Sequence, residues 1–258
     1  MNLSNPKSHT NASRVFLSIV SHDDSKSLLL FIQDLANHAA YVAERTVVTH
    51  NIPCRESATA AISRLMQVTN PHPLGFAENH NQAFNLLQAS HGPFNDEDWF
   101  VVVNPDIRFS SDPFAKICEQ ERGRVGIVAP RVLDQAGRPT DSARELPSLF
   151  DIFKGFMRIR KESSKPKWFA GMFLAIRVDC WRSVGGFCEA FFMYCEDADL
   201  CFRAQEKGWE LRHLRDIDVV HEGRRASHRS IRHFLWHVNS LKILWRTSGY
   251  KFMKRYRI

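Results

Sequence analysis

The chain has 258 residues, 44% of them hydrophobic and 24% charged, which suits one large globular domain with ample material for a core. It contains no run of 18 or more apolar residues, and its polar N-terminus lacks an apolar signal stretch, so we expect neither a transmembrane helix nor a secretory signal. The six cysteines form no C-x-x-C pair, which predicts reduced core thiols of a cytosolic protein and no zinc site.

The net charge of +7 is unevenly distributed along the chain. Residues 223–258 contain ten Lys or Arg and no Asp or Glu, whereas residues 1–222 contain 25 basic and 28 acidic side chains. A basic C-terminal segment on a mildly acidic body indicates an anionic partner, either a membrane surface or a nucleic acid. A nucleic-acid-binding protein is disfavoured because the basic residues do not extend over the body.

Beyond a disordered N-terminus at residues 1–13, the chain up to about residue 130 alternates between short apolar strands and longer amphipathic helices. Strands are predicted at RVFLSIVSH, RTVVTHN, DWFVVVNPDIRF and VGIVAP. Helices are predicted at SKSLLLFIQDLANHA, SATAAISRLM, residues 78–90 and residues 113–121. This alternation predicts βαβ units and a mostly parallel, Rossmann-like sheet with helices on both faces.

The chain from about residue 131 to 222 has a different character, and we expect it to form a second half of the same domain. A hairpin edge is predicted at RVLDQAGRP, followed by a polar connector at 141–167 that contains the short helix SLFDIFKGFMRI. Further strands are predicted at WFAGMFLAIR, ELRHL and IDVVHEG. Further helices are predicted at VDCWRSVGG and ADLCFRAQEKGWE, the latter ending at Gly208.

Polar residues close the predicted strands, although neither G-x-G-x-x-G nor a Walker A loop is present. Because parallel sheets bind ligands at the carboxyl ends of their strands, the candidates are Ser21 to Asp24, Thr49 to Asn51 and Asn104 to Asp106. Pro105 stops the strand and lets Asp106 project, where a lone carboxylate can hold a hard divalent cation. An Asx-turn that merely ends the strand is the alternative interpretation.

Three acids occur within four positions of the apolar stretch FFMYCEDADLCFR. Asp197 and Asp199 lie in the first turn of a helix predicted to run to about Lys207, where carboxylates interact favourably with the helix dipole by about 0.3–1 kcal/mol, and Glu196 is a candidate acid on the N-cap side. Acids among aromatic residues are also candidates for proton transfer, because desolvation raises a carboxyl pKa. From these residues alone, both interpretations stay open.

Four segments, taken in order, resemble a single enzyme family. They are LGFAENHNQAF, VVVNPDIRF, the run from WFAGMFLAIR to EKGWEL, and VVHEG. Together they resemble family 2 glycosyltransferases, most closely the bacterial rhamnosyltransferases of O-antigen and cell-wall polysaccharide assembly. The likeness spans roughly residues 14–245. It implies the GT-A fold, in which a Rossmann-like nucleotide half (about 14–130) is fused to an acceptor half (about 131–222).

The resemblance also implies roles for individual residues. Asp197 falls on the catalytic base, and Asn104 and Asp106 fall on the ends of the metal-binding D-x-D motif, here N-P-D. His221 matches a histidine that completes the Mg²⁺ or Mn²⁺ site. The expected donor-binding residues are Ser21, His50, Asn51, Asn81 and Asn104. The expected acceptor and supporting residues are Glu196, Trp168, Gly171 and Tyr194.

The resemblance implies an inverting, metal-dependent transfer of rhamnose from dTDP-rhamnose to a lipid-diphosphate-linked saccharide. The metal would neutralise the leaving diphosphate, and one base would accept the proton of the acceptor hydroxyl. His50 stands where similar enzymes use an aspartate to bind the pyrimidine, and a neutral imidazole cannot copy a carboxylate. A UDP-hexose or UDP-hexofuranose donor is therefore an alternative, and the degenerate N-P-D leaves an inactive family member open.

The C-terminal segment 223–258 has apolar residues at helical spacing from Ile231 to Trp245. One interpretation is a core-packing helix followed by a solvated basic tail. The other is an interfacial helix that places aromatic rings near a bilayer and basic side chains on anionic lipid. The residues of this second interpretation are Trp236, Trp245, Tyr250, Lys251, Lys254, Arg255 and Arg257. It predicts a cytoplasmic bacterial protein, peripheral on the inner face of the cytoplasmic membrane.

Overall fold

The computed structural model describes residues 13–52, 65–120, 123–146, 167–223 and 231–256. The strands are β1 (Val15–Ser21), β2 (Thr46–His50), β3 (Met66–Thr69), β4 (Trp99–Val103), β5 (Ile107–Arg108), β6 (Val125–Leu133), β7 (Ala143–Arg144), β8 (Trp168–Phe169), β9 (Phe173–Arg177) and β10 (Glu210–His221). The α-helices are α1 (Ser25–His38), α2 (Phe76–His91), α3 (Pro113–Cys118), α4 (Val178–Val184), α5 (Glu196–Glu206), α6 (Ile231–Leu244) and α7 (Ser248–Tyr256).

The N-terminal part of the sheet is parallel, as the sequence predicts. β1 pairs in parallel with β2 on one side and with β4 on the other, and β2 pairs in parallel with β3. Successive residues of β1 point to opposite faces, so Phe16 packs in the core with α2, whereas Leu17 and Ile19 pack in the core with α1. Helices therefore cover both faces, and the carboxyl ends of these strands meet at one edge.

The second half of the chain completes the same sheet, whose order is β3-β2-β1-β4-β9-β6-β10-β5. β9 runs antiparallel to both of its neighbours, β4 and β6. β10 runs parallel to β6 and antiparallel to β5. The sheet is therefore mixed: β3, β2, β1 and β4 pair in parallel, and the antiparallel β9 joins β4 to β6.

Several predicted boundaries differ from the observed ones. The segment WFAGMFLAIR is two strands, β8 and β9, separated by a turn. The segments ELRHL and IDVVHEG join into β10, which has a register irregularity between Leu214 and Asp218. β3 was not predicted, and its first residue, Met66, was assigned to a helix. The predicted hairpin is confirmed by the bridge between Leu133 and Pro139.

Parts of other predictions lie outside the described residues. These are the disordered N-terminus up to residue 12, the helix SATAAISRLM up to residue 64, the helix SLFDIFKGFMRI, residues 224–230 of the basic segment and Arg257. The described chain shows α3 ending at Cys118, three residues earlier than predicted.

The helices α6 and α7 pack onto the body instead of extending from it. Leu241, Leu244 and Met253 are buried in the same core as Phe202 of α5. The hydroxyl of Ser248 donates to Oε2 of Glu206 at 2.7 Å, which ties the start of α7 to the end of α5. The core-packing interpretation is therefore confirmed for these positions. Among the described helices, none is long and apolar enough to span a bilayer.

Candidate active site

The pairing of β5 with the end of β10 brings two predicted metal ligands together. β4 ends at Val103, and the carbonyl of the next residue, Asn104, accepts the N–H of Ile107 at 3.2 Å in a tight turn. Ile107 then pairs with His221 across the antiparallel ladder. As a result, Nε2 of His221 lies 3.1 Å from Oδ2 of Asp106.

The Asp106 carboxylate and the His221 imidazole fit a divalent cation. Oδ1 of Asp106 is buried and has no hydrogen-bond partner among the described residues, so the structure leaves this oxygen available to a ligand. The described part of the chain holds no group of three or more His, Cys, Asp or Glu arranged for a metal. Two protein ligands would leave the other coordination positions to water and substrate phosphates, which suits Mg²⁺ or Mn²⁺.

One short turn connects this pair to the acids of α5. Between β8 and β9, the carbonyl of Met172 accepts the N–H of Asn104 at 2.9 Å. The N–H of the preceding residue, Gly171, donates to Oδ2 of Asp197 at 2.9 Å. Gly171 therefore contacts the carboxylate of Asp197, the predicted base, and the adjacent Met172 contacts the turn that carries Asp106. The turn between β8 and β9 thus links the segment of the predicted metal ligand Asp106 to the predicted base.

Asp197 is half-buried at the start of α5. Its Oδ1 accepts the N–H of Ala198 at 2.8 Å. Burial raises the pKa of Asp197, while the Gly171 N–H and the positive charge of Arg144 act in the opposite direction. A Cβ at Gly171 would lie 3.1 Å from Cζ of Phe76, so a larger residue there would require the Phe76 ring to shift.

The other two acids of α5 have different environments. Glu196 is buried, and its Oε2 has no hydrogen-bond partner among the described residues. Burial, together with the nearby charge of Asp197, raises the pKa of Glu196 well above its usual range. Asp199 is fully buried but pairs with Nε of Arg203 at 2.7 Å. Asp199 thus has an ion-pair partner through Oδ2, whereas its Oδ1, like Oε2 of Glu196, has no hydrogen-bond partner among the described residues.

An asparagine network holds the loop at the carboxyl ends of β1, β2 and β3. The backbone N–H of Asn51 donates to the carbonyl of Ser21 at 2.8 Å. The amide of Asn70 donates to Oδ1 of Asn51 at 2.9 Å and to Oδ1 of Asn79 at 2.7 Å. Oδ1 of Asn51 also accepts the N–H of Leu74 at 2.8 Å. Ser21 and Asn51 were predicted, whereas Asn70 and Asn79 were missed, and only their position in a turn-rich segment could have indicated them.

Two predicted donor residues have contacts with other parts of the protein. Nε2 of His50 lies 3.3 Å from Oε1 of Gln67, at the exposed end of β2. The amide nitrogen of Asn81 donates to the carbonyl of Phe187 at 2.9 Å and to Oε1 of Glu189 at 2.8 Å. Asn81 therefore ties α2 to the loop after α4, and its role in donor binding stays a prediction.

The predicted acceptor residues Trp168 and Tyr194 contact different parts of the protein. Nε1 of Trp168 donates to the carbonyl of Glu145 at 2.9 Å, and its ring lies 4.8 Å from the guanidinium carbon of Arg144. The hydroxyl of Tyr194 shares a hydrogen bond of 2.8 Å with Nδ1 of His233. Arg144 was missed by the sequence analysis, because its approach to Asp197 depends on the pairing of β7 with β8.

Comparisons with known proteins show the family and the fold. Residues 99–245 match the family model described as glycosyl transferase family group 2. The chain is 30% identical over 181 residues to rhamnosyltransferase WbbL of Escherichia coli, covering 64% of this chain and 68% of that protein. It is also 30% identical over 173 residues to N-acetylglucosaminyl-diphospho-decaprenol L-rhamnosyltransferase of Mycobacterium tuberculosis, covering 57% of this chain and 55% of that protein.

Two solved structures share the fold at low sequence identity. The crystal structure of GalNAc-T7 with UDP, GalNAc and Mn²⁺ aligns with a TM-score of 0.64 at 14% identity, over 94% of this chain and 49% of that one. The mannosyltransferase PcManGT from Pyrobaculum calidifontis, in complex with GDP-Man and Mn²⁺, aligns with a TM-score of 0.61 at 15% identity, over 93% of this chain and 66% of that one. The chain has the GT-A fold and belongs to glycosyl transferase family group 2.

Proposed function

We propose that the protein is an inverting, metal-dependent glycosyltransferase that moves rhamnose from dTDP-rhamnose to a lipid-diphosphate-linked saccharide in surface polysaccharide (O-antigen-like) biosynthesis. The observation that carries this proposal is the turn at Gly171 and Met172, because its hydrogen bonds link the Asp197 carboxylate to the strand end that leads to the Asp106–His221 pair. The two rhamnosyltransferases at 30% identity support the choice of sugar, and the name of the mycobacterial one supports a diphospholipid acceptor.

In this proposal the metal ligands and the base have separate functions. Asp106 and His221, with Asn104, would hold Mg²⁺ or Mn²⁺, which supplies charge neutralisation for the leaving diphosphate. Asp197 accepts the proton of the acceptor hydroxyl as that oxygen attacks, and the N–H groups of Gly171 and Ala198 orient its carboxylate. A single base on the side away from the leaving group gives inversion.

In this proposal the donor binds at the edge of the sheet where β1, β2 and β4 end. The asparagine network fixes the loop that begins α2, so the donor meets a preformed surface. In the proposal, Ser21, His50, Asn51 and Asn81 contact the nucleotide sugar. Glu196, Trp168, Gly171 and Tyr194 form or support the acceptor side.

The donor and the metal are tested together in one transfer assay. Purified protein with Mn²⁺ or Mg²⁺ and a diphospholipid-linked N-acetylglucosamine acceptor is expected to transfer from dTDP-rhamnose with inversion of the anomeric centre, observed by NMR. Asp106→Ala is expected to lower turnover by about 100-fold or more and to abolish activation by the metal, since one of two ligands is lost.

Asp216→Ala, at an exposed position on β10, is the matched control and should leave turnover and metal activation unchanged. If the protein transferred sugar only from a UDP-hexose or a UDP-hexofuranose, the proposed donor would be wrong. The proposed class of reaction would still hold. Absence of transfer from every nucleotide sugar, with the protein folded and metal present, would contradict the proposed function.

The face of α6 and α7 that points away from the core is the proposed membrane contact. Leu235 is 59% exposed, and Lys251 and Lys254 are exposed. Residues 231–256 contain no Asp or Glu. An exposed apolar side chain on α6 and exposed basic side chains on α7 suit the anionic inner face of the cytoplasmic membrane, where a lipid-linked acceptor would also lie.

Vesicle flotation tests this contact. The double variant Lys251→Glu/Lys254→Glu is expected to bind phosphatidylglycerol-containing vesicles at least about 30-fold more weakly, since each lysine contributes about 1 kcal/mol near such a surface. The matched control is Lys26→Glu/Lys116→Glu, which has the same net charge but lies on helices that pack on the other face of the sheet. Equal loss of binding in both double variants would contradict a specific membrane face.

A further inference from the structure

The loop that leads into α5 has an unusual backbone conformation. Tyr194 and Cys195 are consecutive non-glycine residues in the left-handed region, with φ of 71° and 69°. Such residues cost of order 1–3 kcal/mol each and persist only where the surroundings hold them. Cys195 is also the N-cap of α5 and makes no side-chain capping bond, so the turn is not stabilised by its own capping residue. Glu196 and Asp197 follow immediately, so any rotation of this turn would redirect both carboxyls.

One face of α6 contacts this loop at successive positions. The hydroxyl of Ser240, which is buried, donates to the carbonyl of Met193 at 2.7 Å. Nδ1 of His233 shares a hydrogen bond of 2.8 Å with the hydroxyl of Tyr194. The ring of His237 lies 5.3 Å from that of Tyr194.

A further aromatic contact completes the same face. The ring of Trp236 lies 5.0 Å from that of Phe192. The contacting residues of α6 are therefore spaced i, i+3, i+4 and i+7, which is one side of a helix. We call the set His233, Trp236, His237 and Ser240 the loop-facing stripe.

The start of α2 holds the same loop from its other side. The carbonyl of Phe192 accepts the N–H of Phe76 at 3.0 Å. A Cβ at Gly75 would lie 2.7 Å from that carbonyl oxygen, so the two backbones are in direct contact. The carbonyl of Gly75 in turn accepts the amide of Asn79, a member of the asparagine network. The loop is therefore fixed between the donor-side loop and α6.

We propose that the loop-facing stripe of α6 positions the catalytic acids by holding the left-handed turn at Tyr194 and Cys195. Ser240 and His233 are positioning residues, since they act on Asp197 through the loop and contact no reacting atom. The inference rests on the proposed function in taking Asp197 as the base. It gives α6 a second task, because the helix proposed to face the membrane also sets the geometry of the active site.

The test uses two variants that each delete one hydroxyl. Ser240→Ala removes the donor to the Met193 carbonyl while keeping a good helix former, and Tyr194→Phe removes the bond to His233 while keeping the ring. In the full-length protein each is expected to lower kcat about 10-fold or more with little change in the donor KM. Hydrogen exchange of the amides in residues 191–199 is expected to accelerate about 10-fold.

Asn239→Ala, at the exposed neighbouring position of α6, is the control and should change neither quantity. Unchanged kcat and unchanged exchange in both hydroxyl variants would overturn the inference. Acceleration of exchange across the whole chain, with a matching loss of thermal stability, would also overturn it, because the stripe would then be merely structural. If no nucleotide sugar is turned over, the exchange measurement alone decides the inference, while the transfer assay separately rejects the proposed function.

Discussion

Asp197→Asn is expected to lower the rate of sugar transfer by about 10²–10⁴-fold, the usual contribution of a general base. The amide cannot accept a proton from the acceptor hydroxyl, yet it fills the same space and its oxygen can still accept the N–H of Gly171. We therefore expect the donor KM and the thermal unfolding temperature to stay close to those of the parent. Steady-state kinetics with saturating donor and a thermal melt measure both effects.

The same position predicts a pH dependence. A base must be deprotonated to act, and burial raises the pKa of Asp197, so kcat should rise with pH through an apparent pKa above the usual aspartate range. Because Glu196 is adjacent, this apparent pKa belongs to the pair of carboxyls. Asp216→Asn is the matched control and should retain the parent rate and pH profile. Full turnover by Asp197→Asn would reject Asp197 as the base.

Glu196→Gln is expected to stabilise the protein increasingly as the pH rises. Burial and the neighbouring Asp197 raise the pKa of Glu196 in the folded state. Between the ordinary glutamate pKa and this raised value, the native state binds more protons than the unfolded chain, so the free energy of unfolding falls as pH increases. The fall is up to about 1.4 kcal/mol for each pH unit. Glutamine cannot ionise, so the variant lacks this decline.

Denaturant unfolding of parent and variant from pH 5 to pH 9 measures the difference. The curves should lie nearest to each other at the acidic end, just above the ordinary glutamate pKa, and separate toward the alkaline end, because Glu196 is then ionised in the unfolded chain but protonated in the folded one. Glu210→Gln, at an exposed position, is the control and should follow the parent at every pH. Parallel curves for parent and Glu196→Gln would show that Glu196 is paired in solution and that its buried oxygen is not orphaned.

The sequence was sufficient to predict the parts of the fold that depend on local patterning. Apolar runs closed by polar residues identified β1, β2 and β4, and helical spacing identified α1 and α2. β3 was not predicted, because it is four residues long and has two half-buried and two exposed side chains. The division between β8 and β9 was not predicted, because the turn at Gly171 lies inside a continuous apolar run in which the periodicity of the sequence shows no break.

The sequence predicted which residues form the candidate site better than it predicted the contacts among them. The strand-end rule and the family resemblance indicated Asp106, His221 and Asp197; the structure pairs Asp106 with His221 and links Asp197 to their segment through the turn at Gly171 and Met172. Arg144, Asn70 and Asn79 were missed because their roles arise from contacts with residues distant in sequence. The stripe on α6 was predicted only as an amphipathic pattern, since no sequence period reveals that His233 and Ser240 meet a loop some 40 residues earlier.

The position of β9 has a consequence for how the chain is assembled during synthesis. β9 lies between β4 and β6, although both of those strands leave the ribosome before it. Until residue 177 emerges, the early strands form a sheet with an open edge at β4, and β6 has no neighbour on that side. Residues 99–133 therefore cannot complete their native strand pairing with each other until β9 has been made. This one later strand covers the facing edges of both β4 and β6.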